Sequence, residues 1–229
     1  MKKNEILNHS LIWTGAAISI AEILSGTLFA DLGFQKGLIA IITGHLIGGA
    51  LLFLAGIIGA KLNKSSMETT ACSFGKYGSI FFALLNVAQL LGWTSIMIYQ
   101  GAQAATGIFS LKMPVMCMII GLLILLWIVI GINNIEKINL AAIISLFILT
   151  IVLCLKIFAN KEEHSISNSC LSFGNAIELA IAMPLSWLPL ISDYTKNAEH
   201  KTKTPLASAI TYTLISCWMY IIGDRKSVV

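Results

Sequence analysis

A carboxylate stands in the middle of a long apolar stretch near the start of the chain. The stretch covers residues 11–30, and Glu22 lies one turn before a Ser-Gly-Thr run that begins at Ser25. An ionised carboxylate at the centre of a bilayer is costly unless it is paired, protonated or facing water. Glu22 is therefore the first candidate for a binding role, and the Ser-Gly-Thr run is a predicted weak point of the helix. The alternative is a structural acid neutralised by a partner such as His45.

A second weak point is predicted in the sixth apolar stretch. Pro184 and Pro189 flank Trp187 in the run Met-Pro-Leu-Ser-Trp-Leu-Pro. Proline has no N–H and disturbs a helix. If the fold consists of two inverted repeats of five spans, the first and sixth spans correspond, and interruptions in both mark a substrate site. The alternative is that prolines and glycines are simply tolerated in membrane helices.

Polar side chains form a stripe on the third apolar stretch. They stand at offsets of 0, 3, 7, 14 and 17 residues, near one helical face: Asn86, Gln89, Trp93, Gln100 and Gln103. An aromatic ring among amides suits a flat heterocycle, because the ring can stack while the amides bond its edges. The alternative for the amides is hydrogen bonding between helices. Trp93 lies far from the interfacial aromatic belt, which favours a role in the site.

The second apolar stretch carries a histidine among small residues. His45 lies beside Gly44, Gly48 and Gly49, a face suited to close helix packing. The sequence therefore favours a packing role for His45.

The composition explains how such residues could be positioned. The chain has 229 residues, 57% of them hydrophobic and 11% charged, which is too apolar for a soluble domain. A spanning helix needs about 20 mainly apolar residues, and seven such stretches are predicted: 11–30, 37–60, 80–109, 114–132, 138–159, 173–192 and 205–223. The fold class is therefore predicted as an all-α polytopic membrane protein.

The sequence contains no motif that would indicate a metalloprotein, an enzyme or a nucleic-acid-binding protein. The five cysteines are odd in number and show no metal-ligand spacing, so neither a disulfide framework nor a zinc site is predicted. We find no phosphate loop or catalytic triad spacing, and no clustered basic patch for nucleic acid. The sequence predicts no enzyme, no cofactor and no obligate protein partner, with a membrane-embedded enzyme or a channel as the rivals from other classes.

The distribution of lysines predicts the orientation. With the N-terminus inside, nine lysines fall in inner loops and four in outer loops. Cytoplasmic loops retain positive charge, so the N-terminus is predicted to be cytoplasmic in a cell (inner) membrane. Connections are short, which predicts a single membrane domain over residues 1–222.

The end of the chain differs in composition from the apolar stretch before it. Residues 224–229, Asp-Arg-Lys-Ser-Val-Val, place positive charge on the predicted outer side. This hexapeptide resembles a sequencing adapter translated in one frame. We expect it to be a non-native tail, and the native chain to continue after about residue 222.

Five segments together resemble a known family. They are Gly15–Gly33, Leu54–Leu62, Ser73–Gly75, Gln89–Trp93 and Ser192–Lys196, the last two being the most specific. In these segments the chain resembles the nucleobase:cation symporter-1 transporters, and within them the hydroxymethylpyrimidine permeases. The resemblance extends to about Ile222.

The resemblance implies a LeuT-like inverted-repeat fold that works by alternating access. Ten core helices would form two repeats, of which this chain would hold the first, about 11–159, and the start of the second, about 173–222. It also implies that Trp93 stacks on the ligand ring, and that Glu22, Ser25 and Gly26 are site residues.

Two positions depart from the family pattern. The second stacking aromatic would fall at Pro184, whereas the tryptophan here is Trp187, three residues later. Some members carry glutamine where this chain has Met97. The family's cation site between spans 1 and 8 requires a span outside this sequence.

The resemblance, together with these residues, implies a transporter that imports a small pyrimidine, such as hydroxymethylpyrimidine, driven by sodium or protons. Glu22 would accept hydrogen bonds from ring substituents or carry the coupled proton. The other predicted substrate-binding residues are Ser25, Gly26, Asn86, Gln89, Trp93 and Trp187. Cytosine, purines and allantoin remain alternative substrates, and the other predicted partner is the lipid bilayer.

Overall fold

The computed structural model describes residues 5–131, 135–159 and 171–227, and all regular elements in these ranges are helices. Cys170, Val228 and Val229 lie outside the described residues. The helices are α1 (Glu5–Ala17), α2 (Ile20–Thr27), a 3-10 helix (Ala30–Leu32), α3 (Phe34–Leu62), α4 (Ser66–Thr106), α5 (Met113–Gly131), α6 (Ile135–Ala159), α7 (Phe173–Ser186), α8 (Leu188–Thr195) and α9 (Lys203–Ser227).

The described helices confirm the predicted class, an all-α polytopic membrane protein. In the part of the chain that the structure describes, five stretches are long and apolar enough to cross a bilayer, and the bent pair formed by α1 and α2 makes a sixth. The fourth predicted span corresponds to α5, whose apolar part, Met113–Val129, is shorter. Each of the seven predicted apolar stretches therefore has a helical counterpart.

The first span is interrupted, but earlier than predicted. The chain bends by 53° between α1 and the segment Ile20–Leu32. Ser19 is extended, and the Glu22 N–H donates to its side-chain oxygen at 3.2 Å, which starts a new helix. The predicted weak point at Ser25 instead lies in the last turn of α2, which ends at Thr27. The interruption therefore precedes Glu22 and places this residue in the first turn of α2.

The sixth span is interrupted at a single residue. Only Trp187 separates α7 from α8, and Phe173–Thr195 still forms one 23-residue apolar span. Pro189 lies in the first turn of α8, where its missing N–H disturbs a helix least. Pro184 lies inside α7. The two prolines therefore flank a one-residue interruption at Trp187, within the stretch where the sequence predicts a weak point.

The chain divides into two compact units, and the first comprises residues 1–80 and 143–229. Its centre is α3, which packs against α7, α8 and α9, while α1 and α2 pack against α9. Small residues permit these contacts, as predicted. A Cβ added to Gly44 would lie 3.0 Å from the Ala180 carbonyl carbon, and one on Gly49 would lie 3.1 Å from Thr213 Cβ.

The second unit comprises residues 81–142. In it the later part of α4 packs beside α5, where a Cβ on Gly101 would lie 3.6 Å from Ile120 and Met116 is buried. The earlier part of α4, within the first unit, is kinked at Gly75, whose φ of 68° favours glycine.

Candidate functional site

The carboxylate of Glu22 is buried and fully engaged by α9. Its side chain is 2% exposed. The Tyr212 hydroxyl donates to Oε1 at 2.8 Å, and the Ser216 hydroxyl is hydrogen-bonded to Oε2 at 2.7 Å. Because residues four apart share a helical face, Tyr212 and Ser216 present both hydroxyls to one carboxylate.

The hydrogen bonding continues from Ser216 to His45 of α3. His45 Nε2 lies 2.8 Å from Ser216 Oγ, and Nδ1 lies 2.9 Å from the Ile41 carbonyl oxygen. His45 is 1% exposed. The packing role predicted for His45 is therefore incomplete, because its ring belongs to a polar chain. His45 is also the partner weighed for Glu22 from sequence, reached here through one hydroxyl.

Four aromatic rings pack together beside this carboxylate, and we call them the aromatic cluster: Trp13, Trp187, Tyr194 and Tyr212. Trp13 is fully buried, and its ring centroid lies 5.4 Å from that of Trp187 and 5.7 Å from that of Tyr212, in edge-on arrangements. Tyr212 also bonds Glu22, so it joins the aromatic cluster to the carboxylate. Trp13 Nε1 is buried and finds no hydrogen-bond partner among the described residues.

Three predicted residues of the first unit lie near these groups. Trp187 is half-buried and belongs to the aromatic cluster. Ser25 is half-buried and interacts with Tyr220 of α9. Gly26 is buried, and a Cβ there would lie 2.7 Å from the Tyr220 Cα. The structure gives Gly26 a packing function, and its binding role stays a prediction.

The other predicted residues lie on α4 in the second unit. Asn86, Gln89 and Trp93 are each half-buried. Within the described part of the chain, Asn86 Oδ1 and Gln100 Oε1 are buried and lack a hydrogen-bond partner. Their spacing keeps these side chains near one face of α4. Their part in binding stays a prediction.

Sequence reasoning missed the contribution of α9. Four hydroxyl side chains recur there at every fourth residue: Ser208, Tyr212, Ser216 and Tyr220. This period places them on one side of a helix. The stripe was readable from the sequence. Trp13, by contrast, is a single aromatic residue in an apolar stretch and gave no such signal.

The comparisons with known proteins point to transport. The family model described as "Permease for cytosine/purines, uracil, thiamine, allantoin" matches residues 1–224. No curated protein matches the chain. Among the described residues, no group of three or more histidine, cysteine, aspartate or glutamate side chains could hold a metal ion.

Proposed function

The chain belongs to the family of permeases for cytosine, purines, uracil, thiamine and allantoin, and we propose that it imports a small pyrimidine by cation-coupled alternating access. The membership makes it a multi-pass membrane transporter of nucleobase-type solutes. Within that class, hydroxymethylpyrimidine is the proposed substrate.

The observation that carries the proposal is the position of Glu22 in an interrupted span. A transporter needs polar groups at membrane depth, and an interrupted helix supplies them where the backbone lines a cavity. Glu22 follows the break in the first span and faces Tyr212 and Ser216. Such a buried acid marks a solute or ion pathway.

The aromatic cluster supports a flat heterocyclic solute. Indole and phenol rings pack edge-on or offset against another ring, and Trp187 is the half-buried tryptophan of the cluster. The buried Trp13 Nε1 is a donor, and a pyrimidine ring nitrogen is an acceptor. We propose that a pyrimidine packs against Trp187 and pairs with this donor when the cluster opens.

The amides and tryptophan of α4 enter the proposal through the resemblance. Trp93 would stack on the ring, and Asn86 and Gln89 would bond its edges. The buried Oδ1 of Asn86 is an acceptor without a hydrogen-bond partner among the described residues. An amino group on the ring of the solute would supply the donor.

A binding screen tests the proposal. The purified full-length protein would be heated with hydroxymethylpyrimidine, cytosine, uracil, hypoxanthine or allantoin, with and without sodium. A ligand at 100 times its dissociation constant stabilises a protein by about 2.7 kcal/mol, so the true substrate should raise the Tm. We expect the largest rise with hydroxymethylpyrimidine. A larger rise in Tm with a purine would indicate a purine as the substrate in place of hydroxymethylpyrimidine. No rise in Tm with any of these solutes would contradict the proposal.

A further inference from the structure

The two contacts of Ser216 need one more hydrogen than an ionised Glu22, the Ser216 hydroxyl and a neutral His45 supply together. The Ile41 carbonyl oxygen can only accept, so Nδ1 of His45 carries a hydrogen. Ser216 has one hydroxyl hydrogen, which can serve either Glu22 Oε2 or His45 Nε2. The remaining contact needs one further hydrogen, on Glu22 or on His45 Nε2.

In both possible positions of this proton, the three side chains of Glu22, Ser216 and His45 together carry no net charge. In one arrangement Glu22 is a neutral acid that donates to Ser216, and Ser216 donates to a neutral His45. In the other arrangement a His45 imidazolium donates to Ser216, which donates to the Glu22 carboxylate. Removing the proton leaves one buried negative charge and breaks one of the two contacts. An unpaired buried charge is strongly disfavoured.

We propose that the Glu22–Ser216–His45 chain binds the proton that drives transport, an inference that rests on the proposed function of the protein. The proton connects three helices, because Glu22 lies on α2, Ser216 on α9 and His45 on α3. Its loss weakens the attachment of α2, which is the second half of the interrupted first span. Protonation therefore holds α2 against α9, and release accompanies exposure of Glu22 to water.

Among the described residues, the groups that contact Glu22, Ser216 and His45 supply hydroxyls and no permanent charge. Tyr212 donates to the other oxygen of Glu22, and the Tyr220 ring lies 4.8 Å from the His45 ring. Other titratable groups of the packed elements lie further along them or are exposed. They include Glu5, His9, Asp31, Lys36, Lys61, Glu178, Asp193, Tyr194, Lys203, Cys217, Asp224 and Arg225. No described cation is hydrogen-bonded to Glu22, so the proton itself supplies the neutralising charge.

Spectroscopy on the full chain tests the proton site without any solute. Infrared spectra would report a protonated carboxyl group, and nitrogen NMR shifts would report the protonation of His45 at neutral pH. We expect one proton on one of the two groups, with the carboxyl or imidazolium signal lost in Glu22→Gln. The same substitution at the exposed Glu178 is the matched control, and it should leave both signals unchanged. A Glu22 carboxylate together with a neutral His45 would overturn the inference.

Transport in proteoliposomes tests the coupling. With a proton gradient and no sodium, the full-length protein and its Glu178→Gln variant should accumulate the pyrimidine. Glu22→Gln should lose accumulation but still exchange internal for external solute, because exchange needs no net proton release. If sodium alone drives accumulation and Glu22→Gln behaves like the control, the inference fails while the proposed function stands. If no pyrimidine is transported or bound, the proposed function fails, and the spectroscopic result still decides whether the proton site exists.

Discussion

Glu22 and Ser216 are separated by 194 residues in the sequence, yet their side-chain oxygens lie 2.7 Å apart. The contact joins the second half of an interrupted span to α9, and His45 extends it to α3. A side-chain network between three helices gives each helix a defined position relative to the others. A change of protonation in it can therefore alter how the helices pack.

Replacing Ser216 by alanine should destabilise the folded chain. The substitution leaves one oxygen of Glu22 and one nitrogen of His45 without their partner, and an unsatisfied buried group costs about 1–3 kcal/mol. Thermal unfolding in detergent would measure the change. Ser95→Ala is the control, because Ser95 is exposed and donates to the Leu91 carbonyl of its own helix. Equal effects of the two substitutions would contradict a role for the network in stability.

Replacing Gly26 by alanine should disrupt the contact between α2 and α9. The new methyl would meet the Tyr220 backbone, and overpacking costs about 1–3 kcal/mol. Gly92→Ala should be neutral or stabilising, since nothing lies within 4 Å of a Cβ there and alanine favours a helix by about 1 kcal/mol. Unfolding temperatures of the two variants decide the matter. If Gly26→Ala lowered pyrimidine affinity without lowering the Tm, a direct binding role would replace the packing role.

The general architecture was readable from the sequence because membrane spans depend on local composition. About 20 apolar residues predict a helix wherever they occur, and a buried glutamate is conspicuous among them. The place of the first interruption was missed by about six residues because it depends on one local contact. Ser19 caps α2, and serine occurs within membrane helices as well as at their starts.

The partners of Glu22 could not be assigned from one sequence. Tyr212 and Ser216 are 190 and 194 residues from Glu22, and no local pattern pairs residues so far apart. The sequence does show the stripe of hydroxyl groups on α9. That stripe predicts a polar face of the helix but does not indicate which residues the face contacts. The role of His45 was likewise hidden, since its neighbours in sequence are glycines that do pack closely.

The predicted orientation can be tested with thiol labelling. The start of α4 should lie on the cytoplasmic side, and the connection between α4 and α5 should lie outside. Cys72 is exposed in the early part of α4, and Ser110 is exposed in the connection. In intact cells a membrane-impermeant maleimide should label Ser110→Cys in a background lacking the other cysteines, and should not label a chain retaining only Cys72. The reverse pattern would invert the topology.

Trp187 should contribute to pyrimidine binding through its ring. Trp187→Phe keeps an aromatic face, whereas Trp187→Ala removes it, and an aromatic pair contributes about 0.5–1.5 kcal/mol beyond its buried area. We therefore expect a clear loss of affinity for alanine and a smaller loss for phenylalanine in calorimetric titration. Trp127 is 47% exposed on α5, so Trp127→Ala is the matched control. Unchanged affinity in Trp187→Ala would confine Trp187 to packing within the aromatic cluster.

Trp93 provides the sharpest test of the resemblance, because its stacking role comes from that source. If the ring stacks on the solute, Trp93→Ala should weaken pyrimidine binding. The unfolding temperature should stay close to that of wild type, because part of the side chain is exposed and contributes little packing. If Trp93 only packs between helices, the Tm should fall and the affinity of the folded fraction should stay the same. Tyr99→Ala on the same helix is the control, because Tyr99 is 53% exposed and should change neither quantity.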